Sequence, residues 1–252
     1  MKGRCPVLTR AAILIESSNI PRESDLPGAR LDVTNWRQHL CSDYGGAWDA
    51  AEITILNTPT WASLKGLLSQ HSNTDYVFII FSGHGYHVVG KDIDETRICL
   101  TGSDEIPVAS VNPGNPRCTF VVDSCRGVVR EEDLSVPKIA MESLMQKTAS
   151  SRDAYRRTFD QAIQQCERGV IRLYSCDLEE SAHESSRSGG YFSTFLMACC
   201  DNWHDRTSER SYYPMDLAHR CAAGRTTGKV PQQHPQYEGG RRRKHFPLAV
   251  YA

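Results

Sequence analysis

Short apolar runs recur along the chain and are separated by polar or helical segments. The run 76–81 (YVFIIF) is almost entirely apolar, as expected for a strand buried on both faces of a sheet. Similar runs predict strands at 11–15, 52–56, 76–81, 118–122, 170–175 and 246–250. Helical spacing and capping residues predict helices at 31–41, 60–68, 191–200 and 215–223. This alternation predicts an α/β fold, with about six strands in a mostly parallel central sheet and helices on both faces.

One long stretch departs from this alternation. Residues 130–168 are polar and charged and contain little apolar sequence. We interpret 1–252 as a single domain in which this charged linker joins a first part, 1–129, to a second part, 169–252. The basic residues of the linker are Arg130, Lys138, Lys147, Arg152, Arg156 and Arg157. The alternative interpretation is that this stretch is a solvated helical connection that stays intact.

Composition narrows the functional classes. The 252 residues carry a net charge of −1, which provides no global field for nucleic acid or an anionic membrane. No apolar run approaches the roughly 20 residues that span a bilayer. The apolar stretch 11–15 is too short for a signal-peptide core. We therefore predict a cytoplasmic monomer that binds neither nucleic acid nor membrane, with the basic run 241–244 in a solvated loop.

The ten cysteines do not suggest a disulfide framework. None forms a CxxC pair, and several lie inside apolar runs, where a free thiol behaves as a small buried hydrophobe. Cys199 and Cys200, on a predicted apolar helix, are expected to be core thiols. Cys125 differs from the others because of its position.

Two predicted strands end in residues that can carry out nucleophilic chemistry. The third ends in the sequence SGHG at 82–85, and the fourth in DSC at 123–125. Carboxyl ends of neighbouring parallel strands lie at one edge of a sheet, so His84 and Cys125 are expected to lie within reach of each other. An imidazole can take the thiol proton and later protonate a leaving amine. The backbone N–H groups of Gly85 and Cys125 are the predicted oxyanion hole.

The residues two positions before the predicted dyad suggest a binding pocket. Side chains two apart in a strand share a face, so Ser82 accompanies His84 and Asp123 accompanies Cys125. An acid beside a nucleophile disfavours the thiolate unless it serves another purpose, and binding a cationic substrate side chain is one. Asp32, at the start of the first helix, is a second predicted acid of this pocket. Three further acids, Glu179, Glu180 and Glu184, are expected on a solvated face, and the alternative interpretation is that they shape the substrate groove.

These motifs resemble those of the caspase-like (clan CD) cysteine peptidases, and those of metacaspases and bacterial orthocaspases more than those of animal caspases. The resemblance covers about residues 10–250 and includes the segment GARLDV at 28–33 and the run GGYFSTFLMA at 189–198. It implies a caspase-like fold in which 1–129 corresponds to the large subunit and 169–252 to the small subunit. It also implies a thioester acyl-enzyme at Cys125, processing within 130–168, and a role in stress, cell-death or antiviral defence.

The resemblance also implies a substrate class. Metacaspases line the pocket for the residue before the cut with residues that match Asp32, Ser82 and Asp123, so we expect protein or peptide substrates cleaved after Arg or Lys. Animal caspases carry Gln where this chain has Asp123 and Arg where it has Leu26. Aspartate specificity is therefore not expected.

No cofactor or metal ligand is predicted, and calcium activation is left open. The acids that could form a partial version of the metacaspase calcium stretch are Asp92, Asp94, Asp104, Glu105 and Glu132. The alternative function, from a different class, is a catalytically silent caspase-like scaffold or regulatory domain. The intact SGHG and DSC motifs favour the enzyme.

Overall fold

The structure is a computed structural model that describes residues 8–21, 23–91, 93–129, 152–206 and 210–252. In chain order the elements are β1 (Arg10–Ser17), α1 (Pro27–Cys41), β2 (Ile53–Asn57), α2 (Trp61–Gln70), β3 (Tyr76–Gly83), β4 (Gly85–Val89), β5 (Asp94–Cys99), β6 (Glu105–Pro107), β7 (Arg117–Asp123), β8 (Val128–Val129), α3 (Arg152–Gln165), β9 (Gly169–Tyr174), β10 (Glu184–Ser185), β11 (Gly189–Gly190), α4 (Tyr191–His204), β12 (Tyr212–Pro214), α5 (Met215–Lys229), β13 (Gln236–Glu238) and β14 (Pro247–Val250). Short 3₁₀ turns lie at Ala50–Glu52 and Val108–Ser110.

Six strands form the central sheet, in the order β13-β9-β7-β3-β1-β2. The pairs from β2 to β9 are parallel, and β13 is antiparallel to β9 at the edge. The predicted α/β fold with a six-stranded, mostly parallel sheet is confirmed. The adjacent strands β3 and β7 are those whose carboxyl ends carry the SGHG and DSC motifs.

Alternation along β3 divides the core into two layers. Tyr76, Phe78 and Ile80 belong to the cluster that packs against α1, α3, α4 and α5. Val77, Ile79 and Phe81 belong to the cluster on the other face, with α2 and the small sheet. Ser82 continues the even-numbered series and therefore faces α1 and α4.

The prediction for the last strand requires a correction. The apolar run 246–250 forms β14, but β14 pairs with β12 in a two-stranded sheet and does not join the central one. The sixth central strand is β13, whose three residues are only partly buried. Because β13 covers an edge and is short and polar, it leaves no apolar run in the sequence.

The second part of the charged stretch is a helix that is fixed to the core. Tyr155, Phe159 and Ile163 of α3 are buried in the first cluster. Arg10, at the start of β1, lies beneath this helix and donates to Asp160 and Glu52 at 3.0 and 3.2 Å. The first part of the stretch, with Arg130, Lys138 and Lys147, lies outside the described residues.

One cysteine prediction is wrong. Cys199 of α4 is buried, as expected of a core residue, but it is bonded to Cys221 of α5. The two residues lie 22 positions apart on adjacent helices, so the sequence offered no short spacing that would mark the pair. Cys200 is a free, buried thiol, as predicted. Within the described ranges, none of the helices has the length and apolar character needed to cross a bilayer.

Candidate active site

The backbone register places His84 and Cys125 at equivalent positions on adjacent segments. Ser82 pairs with Asp123 at the carboxyl ends of β3 and β7, and five residues later His87 pairs with Val128 of β8. Partner numbers differ by 41 in both pairs, as do those of His84 and Cys125. The two segments therefore separate after Ser82–Asp123 and pair again at His87–Val128. Between these two pairs, each segment carries one residue of the predicted dyad.

Gly85 allows the two segments to approach closely. A Cβ at this position would lie 2.6 Å from Ser124 Oγ and 2.9 Å from the Arg97 carbonyl oxygen. Any side chain here would push the segment after His84 away from the residue before Cys125. The second glycine of the SGHG motif therefore has a steric reason in addition to its predicted place in the oxyanion hole.

The loop after β1 orients His84. The His84 Nε2 atom lies 2.8 Å from the Ser24 carbonyl oxygen. Because a carbonyl only accepts hydrogen bonds, this contact requires a proton on Nε2. The Nδ1 atom lies 3.7 Å from Glu23 Oε2. The backbone carbonyl thus fills the orienting role that a third catalytic side chain has in many hydrolases.

Cys125 is half-buried beside a loop of the second part of the chain. Its Sγ atom lies 3.6 Å from the Ala182 carbonyl oxygen. Burial raises the pKa of the Cys125 thiol, and the carboxylates of Asp123 and Glu184 act in the same direction. The resting nucleophile is therefore a thiol that needs a base. Among the described residues, the Cys125 N–H donates no hydrogen bond, which fits its predicted place in the oxyanion hole.

The predicted pocket residues meet beneath the nucleophile. Ser82 Oγ donates to Asp32 Oδ2 at 2.6 Å, and the Gly190 N–H donates to Asp32 Oδ1 at 2.8 Å. Asp123 Oδ2 accepts from the N–H and hydroxyl of Ser193 at 3.2 and 2.6 Å. Asp32 and Asp123 are buried, with 1% and 5% of their surfaces exposed. The three residues proposed from sequence thus belong to one buried cluster.

This cluster holds two acids without a counter-charge. Burial raises the pKa of both Asp32 and Asp123, and the Asp123 carboxylate raises that of Asp32 further. Within the described parts of the chain, neither acid forms an ion pair with Lys, Arg or His. A Cβ on Gly190 would lie 2.4 Å from Asp123 Oδ2, so only glycine leaves the acids room. Such an arrangement is suited to a cation supplied from outside.

The predicted solvated position of Glu184 is wrong. Glu184 is half-buried, not on a solvated face, and its charge raises the pKa of both Asp32 and Cys125. Gly28 packs against it, since a Cβ there would lie 2.7 Å from Glu184 Oε2. Its position depends on the fold of the loop between β9 and α4. No sequence spacing marks it.

Comparison with known proteins identifies the family of the chain. The caspase domain (peptidase C14) family matches residues 9–246. The chain belongs to the caspase-domain family. No curated protein matches the chain. The caspase-domain assignment supports a cysteine peptidase-like function and agrees with the observed sheet.

Of the acids proposed for calcium in this caspase-domain chain, those among the described residues make separate contacts. Asp94 lies 2.8 Å from His87, and Asp104 accepts from the Trp61 N–H at 2.7 Å. Glu105 accepts from the Tyr86 hydroxyl. Asp92 and Glu132 lie outside the described residues, and the described ones contain no cluster of acids, His or Cys that could hold a metal ion.

Proposed function

We propose that this protein is a cysteine endopeptidase of the metacaspase kind that cleaves after Arg or Lys, with Cys125 as nucleophile and His84 as base and acid. The observation that carries the proposal is the buried pair Asp32 and Asp123, which has no Lys, Arg or His partner among the described residues. Asp123 lies two positions before Cys125 and adds to the effect of burial in raising the pKa of its thiol. A protein that only scaffolds other proteins has no need for this costly arrangement.

The reaction follows from the register of the two segments. His84 takes the proton of the Cys125 thiol, and the thiolate attacks the substrate carbonyl carbon. The N–H groups of Gly85 and Cys125 stabilise the oxyanion. The intermediate collapses to a thioester while His84 passes its proton to the leaving amine. Water, deprotonated by His84, then hydrolyses the thioester and returns the thiol.

Substrate binding also assists the nucleophile. The carboxylates of Asp123 and Glu184 raise the pKa of the Cys125 thiol in the free protein. A guanidinium or ammonium group bound between Asp32 and Asp123 neutralises part of this negative charge. The thiol then ionises more readily when the correct side chain is bound. Selectivity for a cation is thereby expressed in the rate of the chemical step as well as in binding.

Hydrolysis of matched fluorogenic peptides tests the proposal. Peptides that end in Arg, Lys, citrulline or Asp before the reporter are offered to the wild-type protein with and without calcium. We expect turnover of Arg and Lys peptides, little of citrulline, and none with Cys125→Ala. Preference for Asp would contradict the pocket assignment. Absence of turnover in both conditions and after limited proteolysis would favour the silent scaffold.

A further inference from the structure

Arg126, the residue after the nucleophile, is buried without a carboxylate partner among the described residues. Only 7% of its surface is exposed. Its Nη1 donates to the Cys176 carbonyl at 3.3 Å, and its guanidinium lies 4.1 Å from the Tyr174 ring centroid. Its Nε donates to Thr96 Oγ1 at 3.1 Å. Because a buried cation is costly unless its donors are satisfied, these few contacts determine where Arg126 lies.

Thr96 connects Arg126 to a chain of hydrogen bonds that runs to the surface. Its Oγ1 lies 3.1 Å from His87 Nδ1, and His87 Nε2 lies 2.8 Å from Asp94 Oδ1. A carboxylate only accepts hydrogen bonds, so His87 Nε2 carries a ring proton and Nδ1 is the ring atom that can accept from Thr96. The Thr96 hydroxyl therefore donates to His87 and uses a lone pair for Arg126. Arg126 then donates to Thr96, Thr96 donates to His87, and His87 donates to Asp94.

Backbone hydrogen bonds hold the chain on both sides of the Arg126 side chain, and His87 contributes one of them. The Arg126 N–H donates to the Glu180 carbonyl at 2.9 Å, and its own carbonyl accepts from the Glu179 N–H at 3.0 Å. The His87 N–H donates to the Gly127 carbonyl at 3.1 Å. A displaced Arg126 side chain would therefore shift the peptide unit that follows Cys125. Small misplacements of a nucleophile are costly to rate.

We propose that Thr96 and His87 are positioning residues for the reaction at Cys125. They act through Arg126, and neither residue is required to touch the substrate. The inference rests on the proposed peptidase function. The pocket acids Asp32 and Asp123 take no part in this chain of hydrogen bonds, so its loss is expected to change kcat and leave KM nearly unchanged.

A pair of substitutions at Thr96 separates the hydroxyl from the shape of the side chain. Thr96→Val keeps the shape and leaves the Arg126 Nε donor unsatisfied, which is expected to lower kcat for an Arg peptide about tenfold or more, with KM changed less than about twofold. Thr96→Ser keeps the hydroxyl and is expected to restore most of the rate. Thr119→Val is the matched control, because Thr119 is also a buried strand threonine, and its hydroxyl contacts Tyr76.

Three outcomes would overturn the inference. They are a Thr96→Val enzyme with wild-type kcat, equal losses in the Val and Ser variants, and an equal loss in Thr119→Val. Should Thr96→Val fail to fold, Asp94→Ala takes its place, because the Asp94 side chain is 81% exposed. We expect this variant to lower kcat about twofold to fivefold, as for loss of a solvent-exposed contact. An unchanged kcat would count against the chain of hydrogen bonds.

Alkylation of Cys125 by iodoacetamide, followed by mass spectrometry of the peptide that contains it, distinguishes this inference from the proposed function. A wild-type protein that hydrolyses no peptide, yet whose Cys125 is alkylated faster than that of Thr96→Val, would remove the peptidase proposal and keep the positioning role. The opposite result is a wild-type protein that cleaves Arg peptides, together with a Thr96→Val variant that has the same kcat and the same alkylation rate. That result would keep the peptidase proposal and remove the positioning role.

Discussion

Asp123 is the residue that would couple substrate binding to catalysis under the proposed function. Its carboxylate is buried, is held by Ser193, and raises the pKa of both its pocket neighbour Asp32 and the Cys125 thiol. Each effect disfavours the ionised form of the group concerned. Under the proposed function, a bound Arg or Lys side chain would offset this electrostatic cost.

Asp123→Asn is expected to stabilise the free protein and impair its use of Arg substrates. The ordinary pKa of 3.8 is raised for Asp123 in the folded state, so its stability cost is absent below that pH and grows as pH rises through the folded value. Each pKa unit is worth about 1.4 kcal/mol. In urea titrations, the free energy of unfolding of Asp123→Asn should therefore exceed that of the wild type at pH 7 and equal it near pH 4.

The kinetic part of this prediction uses citrulline as an uncharged match for arginine. Loss of one partner of a buried charge pair lowers kcat/KM for the Arg peptide by about thirtyfold or more. The value for the citrulline peptide should change much less. A variant that loses both activities equally would show that Asp123 supports the fold of the site and does not recognise charge.

Elements built from apolar runs could be predicted from sequence, and those built from tertiary contacts could not. The runs at 76–81 and 118–122 gave β3 and β7 because strands buried on both faces require apolar residues throughout. Asp32, Ser82 and Asp123 could be expected in one pocket because side chains two apart share a strand face and because the motifs resemble those of metacaspases. The edge strand β13 and the position of Glu184 depend on neighbours distant in sequence and left no local pattern.

The anchor of α3 can be tested by substitution of Arg10. Its side chain is fully buried and contacts Glu52, Asp160 and the Trp48 ring. Arg10→Met keeps the volume, removes the hydrogen-bond partner of Asp160 and leaves Glu52 paired with Arg156. We expect the free energy of unfolding to fall by about 3 kcal/mol, which is the lower end of the range for breaking a buried ion pair. The lower end applies because Arg156 still contacts Glu52 at 2.6 Å.

An exposed pair provides the control for this measurement. Arg30 and Asp25 lie 2.8 Å apart with about half of each side chain exposed (49% and 50%). Arg30→Met should change the free energy of unfolding by less than about 1 kcal/mol. Equal effects of the two substitutions in urea titrations would mean that the Arg10 contacts do not anchor α3.

At the scale of the whole molecule, the candidate site is assembled from both parts of the chain. His84, Cys125 and Asp32 precede residue 130, whereas Gly190 and Ser193, which bind the pocket acids, follow residue 151. The parallel pairing of β7 with β9, from Arg117–Gly169 to Val122–Tyr174, crosses the same division. The site therefore depends on contacts through space and does not require an intact chain between its two parts.

A cut within 130–151 is expected to leave one folded, active particle. Arg152 and Arg156 already bind backbone carbonyls and acids of the first part, so the basic residues before α3, Arg130, Lys138 and Lys147, are the expected sites of self-cleavage.

Purified wild type should give two bands on a denaturing gel and one native gel-filtration peak near 28.2 kDa. Cys125→Ala should stay intact until a trace of wild type is added. Replacement of all three basic residues by Gln should prevent the cut in both proteins. Fragments that separate under native conditions would contradict the shared sheet, and identical bands from wild type and Cys125→Ala would contradict self-cleavage.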